Sequence, residues 1–400
     1  MPRLSVRLLV AVPALLLGGA AMASAGVPAA LQPHLINHYT FDDPQGGDPG
    51  SATELDLGLD ATPIQLLNGA PRVIDGAWGG SVYALETRQN NSGPNDDWKA
   101  GVFFDSSAES TLGGSNHVTG VTIAGWFKPL GDVGDNPSPN TNSGDPFDTF
   151  NAFGLAGLLR GDDGGVGVDG HGVRALLEVI GGKVVGLGRR LDDQSGSGRV
   201  STVDDWHVVM PPGEWTHLTA TFDFDQGEIF LYKNGLALAA DQPQTDNWDL
   251  DPEETNHTSP TNPAGIKIGG SHPNNSQEQN PFNGRIDELT FFNRVVYPRE
   301  VRGLYLGLSG QPGDYNGDGV VDAADFTVWR DTRDHSGDLR ADGDNNGVVN
   351  ELDYDLWLDN FGKSWPSPSS ASQGQSTPEP SAGALLAVGV WGVTRKRRKP

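Results

Sequence analysis

The stretch FNGRIDELTFFNRVVYPREVRGLY, residues 282 to 305, decides the fold. Gly284, Ile286, Asp287, Glu288 and Leu289 run ahead of a short helix-like segment, Pro298 to Tyr305. Asp287 and Glu288 are adjacent, so on a strand they point to opposite faces and hold local structure rather than act as a pair. Working back from this motif, alternating stretches read as strands: His34 to Phe41, Val121 to Phe127, Trp215 to Phe222 and Ile229 to Lys233. Asn234-Gly235, directly after the last of these, is the strongest short-range signal for a type I′ hairpin.

Composition agrees with an all-β body. The chain has 400 residues, room for two or three domains, with 10 Trp and 15 Phe to fill a core. Its 55 Gly and 28 Pro favour turns over long helices. With 27 Lys and Arg against 52 Asp and Glu, the net charge is -25. That disfavours nucleic acid as a partner, because phosphates need a cationic surface. Cations and neutral ligands fit better.

The order HYTFDD, VTIAGWFKP, EWTHLTATFD, IFLYKNGLAL, IKIGGS and the closing motif resembles the laminin-G-like, concanavalin A-like jelly roll, over about residues 26–310. The resemblance implies a two-sheet β-sandwich. Members of that fold bind glycans, bind proteins or cut polysaccharides, so the role has to come from the site.

A second motif lies downstream, in GDYNGDGVVDAADFTVWRD, residues 313 to 331. Counting Asp314 as the first position, Asn316, Asp318, Asp322 and Asp325 fall at positions 3, 5, 9 and 12, with Gly319 at the sharp turn and the Val320 carbonyl at position 7. Starting again at Asp342, the same count finds Asp344, Asn346, Val348, Asn350 and Asp353. Alternate oxygens on a tight turn converge on one hard cation, which removes the repulsion that would open the loop. Each loop leads into a short helix with an apolar face, Phe326 and Trp329 in the first, Tyr354, Trp357, Leu358 and Phe361 in the second. Val321 and Val349, at position 8, are placed to pair as a strand link. Two loop-helix units with Asp at position 12 resemble a type I dockerin module, residues 311–363, which implies two calcium ions and docking onto a cohesin-like protein. The family's recognition pair at positions 10 and 11 is usually hydroxyl-bearing. Here it is Ala323-Ala324 and Glu351-Leu352, which departs from that pattern.

The two ends read as addresses. Arg3 and Arg7, the apolar run Leu8 to Leu17 and Ala23-Ser24-Ala25 form an export signal over residues 1–25. There is no Cys, so any extra staple of an exported chain must be something else, such as a metal. Residues 364–377 are a Ser/Pro-rich linker. Pro378-Glu379-Pro380, a short apolar run and the basic cluster Arg395 to Lys399 resemble a PEP-CTERM sorting signal over 378–400, which implies a sorting transpeptidase as partner. Its 13 apolar residues fall short of the ~20 that span a bilayer, so the expected attachment is transient, with delivery to the cell surface, outer envelope or matrix.

Enzyme signatures mostly fail. Glu54-Leu-Asp56-Leu-Gly-Leu-Asp60 has alternate acids on one face, as in jelly-roll glycosidases, but the third acid is displaced and Gly58 interrupts the run. Neither HExxH nor GxSxG occurs. Gly362-Lys363-Ser364 lacks the upstream Gly of a phosphate loop. Long polar loops at 131–148, 161–170 and 241–265 are the remaining candidate ligand surface. Trp206 and Trp248 are their candidate sugar-stacking groups, and Asp162 and Asp163 are candidates for a further calcium. The expectation is a non-catalytic, calcium-binding surface or matrix protein whose jelly roll binds glycan and whose dockerin-like module attaches it to a partner. A polysaccharide-degrading enzyme and a structural spacer stay open as alternatives.

Overall fold

The computed structural model describes residues 27–28, 30–77, 81–88, 97–104, 106–130, 152–160, 173–189, 197–247, 262–270, 281–306, 313–316, 320–333, 340–343 and 348–364. Its first strands are β1 (Leu35–Tyr39), β2 (Thr53–Glu54), β3 (Ile64–Leu67), β4 (Arg72–Ile74), β5 (Tyr83–Thr87), β6 (Lys99–Phe103), β7 (Gly120–Pro129) and β8 (Ala152–Leu159). Then come β9 (Val173–Ile180), β10 (Lys183–Arg189), β11 (Ser197–Asp205), β12 (Thr216–Asp223), β13 (Glu228–Lys233), β14 (Leu236–Ala237), β15 (Gly265–Ile268) and β16 (Gly284–Phe292). Helices are few: α1 (Trp206–Val209), α2 (Pro298–Leu306), α3 (Ala323–Thr332) and α4 (Glu351–Asn360).

The strands build two antiparallel sheets. The first runs β14-β13-β12-β7-β16-β5-β4, with β1 also on β16; the second runs β11-β10-β9-β8-β15-β6-β3-β2. Alternation explains why they stack. Val121, Ile123 and Phe127 of β7 turn inward to meet Phe153 and Leu155 of β8 and Ile266 and Ile268 of β15, all buried in one core. Each such side chain contributes about 1.5–3 kcal/mol on burial. The opening motif is the strand β16 followed by α2, as its sequence implies. Val301 and Leu304 of α2 cover Leu35, Ala124, Tyr232 and Phe292 on part of the first sheet's outer face. The hairpin at Asn234-Gly235 has φ of 50° and 78°, the two left-handed residues a type I′ turn needs.

Trp206 overturns one expectation. It stands in α1, 3% exposed within the main core, edge-to-face on Phe153 with ring centroids 5.5 Å apart. An apolar ring of that size is worth more against Phe153 than in water, so it is not a sugar platform.

The C-terminal unit is described by itself. Tyr315, Trp329, Ala341 and Val349 are its buried centre, with Phe326, Tyr354 and Trp357 packed against them. Val321 does not pair with Val349: its N–H donates to the Lys363 carbonyl and its carbonyl accepts from Gly362, so the segment after α4 clasps the first loop. Among the described residues no helix is long and apolar enough to cross a membrane. The export signal, the linker beyond Ser364 and Pro378-Glu379-Pro380 lie outside the described residues.

Candidate functional site

Two regions carry chemistry. In the C-terminal unit each helix opens with a capping box built from the ninth and twelfth loop positions. Asp322 accepts from the Ala324 N–H at 2.7 Å while Asp325 accepts from the Asp322 N–H at 2.8 Å. Asn350 and Asp353 repeat this with Leu352 N–H at 2.8 Å and Asn350 N–H at 2.7 Å. The same spacing that suits a cation loop thus also starts a helix.

The second oxygen of Asp325 accepts from the Tyr315 and Asn316 N–H groups at 2.7 and 2.9 Å, and that of Asp353 from Gly343 at 2.6 Å. Asp314, Asp325, Asp342 and Asp353 are all buried, at 3, 0, 4 and 0% exposure. Burial first, and the charge of Asp314 besides, pushes the Asp325 carboxyl above its ordinary range, although three N–H donors favour its charged form. Asp314 and Asp325, buried near one another, are a like-charge pair of the kind that a hard cation would relieve. Asp318, Asp344 and Asn346 lie outside the described residues, and among the described residues no three acids or histidines cluster closely enough to hold a metal. Val320 and Val348 point their side chains out, at 38 and 53% exposure, which suits positions that offer only a carbonyl.

In the sandwich, the acids after β2 share one face as their spacing implies, and that face is the inner one. Glu54 is fully buried and receives Arg72 Nε at 2.9 Å, Arg72 Nη2 at 2.5 Å and the Asp43 N–H at 3.0 Å. Asp56 accepts from Asn37, His38, Gly58 and Thr62, each at 2.7–2.8 Å. Asp60 accepts from the Gly114 N–H at 3.0 Å, and burial pushes its carboxyl up to about 6. Leu55, Leu57 and Leu59 take the outward positions, at 38, 38 and 58% exposure. Asp56 thus fastens the segment to β1, Glu54 to Arg72 of β4 and Asp60 to the Gly114 backbone, each through internal hydrogen bonds. Asp287 and Glu288 also hold local structure: Asp287 binds the Ala77 N–H at 2.7 Å and Ser81 Oγ at 2.8 Å, while Glu288, at φ 48° in a bulge, meets His38 Nε2 at 2.6 Å. Burial, then the charge of Glu288, pushes the Asp287 carboxyl up to about 8.

Beside Tyr305 of α2, the first sheet's outer face carries half-buried aromatics and balanced charge. Trp126 of β7 stands opposite His217 and Asp287 in the register, with ring centroids 5.2 Å from His217 and 5.6 Å from Tyr305. Burial pulls the His217 imidazole down to about 3, so the floor is neutral. Lys128 lies 5.7 Å from the Trp215 ring and 2.9 Å from Asp75, which also holds Arg285 at 2.5 Å; Arg285 reaches Glu86 at 3.3 Å. Two cations against two carboxylates leave a neutral polar rim beside half-buried rings. Position alone in the sequence gave no sign of this: Trp126 sits on β7 and Trp215 immediately before β12, and neither is in the long loops. Trp248, Asp162 and Asp163, the other loop candidates, lie outside the described residues.

No curated protein sequence matches the chain. Among solved structures, the binding domain of Paraclostridial Mosquitocidal Protein 1 is similar with a TM-score of 0.43 and 14% identity, over 72% of this chain and 54% of that one. The binding domain of Botulinum neurotoxin DC in complex with rat synaptotagmin II gives 0.42 and 9%, over 69% and 52%. Trypanosoma rangeli sialidase gives 0.41 and 13%, over 70% and 33%. The chain therefore spans about half, or less, of the chains it resembles. Residues 188–302, from β10 through most of α2, match the family model Laminin_G_3, described as the concanavalin A-like lectin/glucanases superfamily, which supports a lectin/glucanase-like jelly roll for this body.

Proposed function

We propose that this is an exported, calcium-binding protein of the cell surface or matrix that holds a neutral glycan on its jelly roll and attaches through its dockerin-like unit, with no catalysis by the sandwich acids. The observation that carries the reading is the contrast on the sandwich: Glu54, Asp56 and Asp60 are spent on internal hydrogen bonds, while the half-buried Trp126 and Trp215 lie beside a neutralised set of hydrogen-bonding groups. Aromatic faces with a few polar groups are what a pyranose needs, apolar C–H on one side and hydroxyls on the other. Two calcium ions in the C-terminal loops, a cohesin-like partner, and processing at Pro378-Glu379-Pro380 by a sorting transpeptidase belong to the same reading. They rest on the loop spacing, the buried acids and the resemblances of sequence.

Incubating the chain in calcium with a panel of soluble and insoluble polysaccharides, and scoring both retention and new sugar ends, tests it. Retention without release is expected, weakened at least tenfold by Trp126→Ala with Trp215→Ala. Release of new ends would overturn the non-catalytic reading, and no retention on any polysaccharide would overturn glycan binding.

A further inference from the structure

The two loop-helix halves of residues 313–364 hold each other by hydrogen bonds that cross between them. Trp329 Nε1–H donates to the Asn350 carbonyl at 2.8 Å, and Trp357 Nε1–H donates to the Asp322 carbonyl at 2.8 Å. Each acceptor is the ninth loop position and N-cap of the opposite helix. Each donor stands one helical turn beyond its own loop's twelfth position, Asp325 for Trp329 and Asp353 for Trp357. A third link breaks the symmetry: Tyr315 Oη–H donates to the Asp353 carbonyl at 2.6 Å. The matching position in the second loop is Gly343, and a Cβ there would lie 2.6 Å from that same Oη. The rings between these links are in contact, with Trp329–Tyr354 and Tyr354–Trp357 centroids 5.0 and 5.4 Å apart.

We propose that the two loops take up calcium as one coupled unit, with Trp329 and Trp357 as the positioning residues that transmit occupancy from each loop to the other. The inference rests on the calcium reading of the loops. An ion in the first loop fixes Asp322 and Asp325. Fixing Asp322 fixes the carbonyl that Trp357 holds, and Trp357 is rigidly joined through one turn of α4 to Asp353 of the second loop. The reverse path runs from Asn350 through Trp329 to Asp325. A coupling of this kind has to be reciprocal.

The test is a double-mutant cycle on the full chain, read by calcium titration. Asp342→Ala disables the second loop. In the wild-type background it is expected to weaken calcium binding at the first loop by roughly tenfold. In a Trp329→Phe/Trp357→Phe background, which keeps both rings and removes both N–H donors, the same substitution should change first-loop affinity less than twofold. Tyr315→Phe should reduce the coupling in part, and it serves if the double Phe variant loses its helical signal. An equal effect of Asp342→Ala with and without the indole donors, or no effect in the wild-type background, overturns the proposal. The calcium reading itself fails separately if Asp314→Ala/Asp342→Ala binds as many ions as the wild type.

Discussion

At the scale of single residues, Asp60 gives the sandwich a pH signature. Its carboxyl is held up to about 6 by burial, so the protonated form is the one the fold prefers. That contribution to stability is full below the ordinary aspartate pKa of about 4 and is lost as pH rises through about 6. Asp60→Asn keeps an acceptor for the Gly114 N–H and does not titrate. Its melting temperature should gain on the wild type between pH 4 and pH 7; a difference that stays constant across that range would refute the assignment. The segment that carries Asp60 also marks the limit of reading residues from sequence. Alternation told that Glu54 and Asp56 share a face, but whether that face looks into a cleft or into β1 depends on Asn37, Arg72 and Thr62, which no local pattern joins to it. Trp206 failed for the same reason, since its partner Phe153 lies far away in the chain.

At the scale of elements, local signals were legible and exchanges between elements were not. The turn at Asn234-Gly235, the helix closing the body and both helices after the acidic loops follow from short spacings. The bonds from Trp329 and Trp357 span 21 and 35 residues, and no periodicity announces them. Val321 went to the segment after α4 because Lys363 and Gly362 use both of its backbone groups. Gly343 tests how tightly the two halves fit. A Cβ there would meet Tyr315 Oη and Leu356 Cδ2, each at 2.6 Å, so Gly343→Ala should cost the unit about 1–3 kcal/mol. Adding Tyr315→Phe should recover part of it, because one of the two obstacles is then gone. Urea melts of the three variants followed by the unit's own helical signal would measure this, and an unperturbed Gly343→Ala would show that the gap is looser than described.

For the whole molecule, the prediction concerns which part depends on a cation. The sandwich is held by a continuous apolar core, while the C-terminal unit places four aspartates out of water with only a small cluster beneath them. Chelation should therefore speed amide exchange in residues 313–364 and leave β7, β12 and β16 protected. Exchange followed by mass spectrometry would show it; strands that open together with the C-terminal unit would contradict it. The topology also orders events in time. β1 has β16 as its ladder partner among the described residues, with Leu35 opposite Phe292. The strand synthesised first must wait for the one synthesised last, so a chain still emerging before residue 284 cannot complete its first sheet. The two ends of the body therefore reach their native pairing together, and a chain cut short of residue 284 leaves Leu35 to Tyr39 without the strand that holds them.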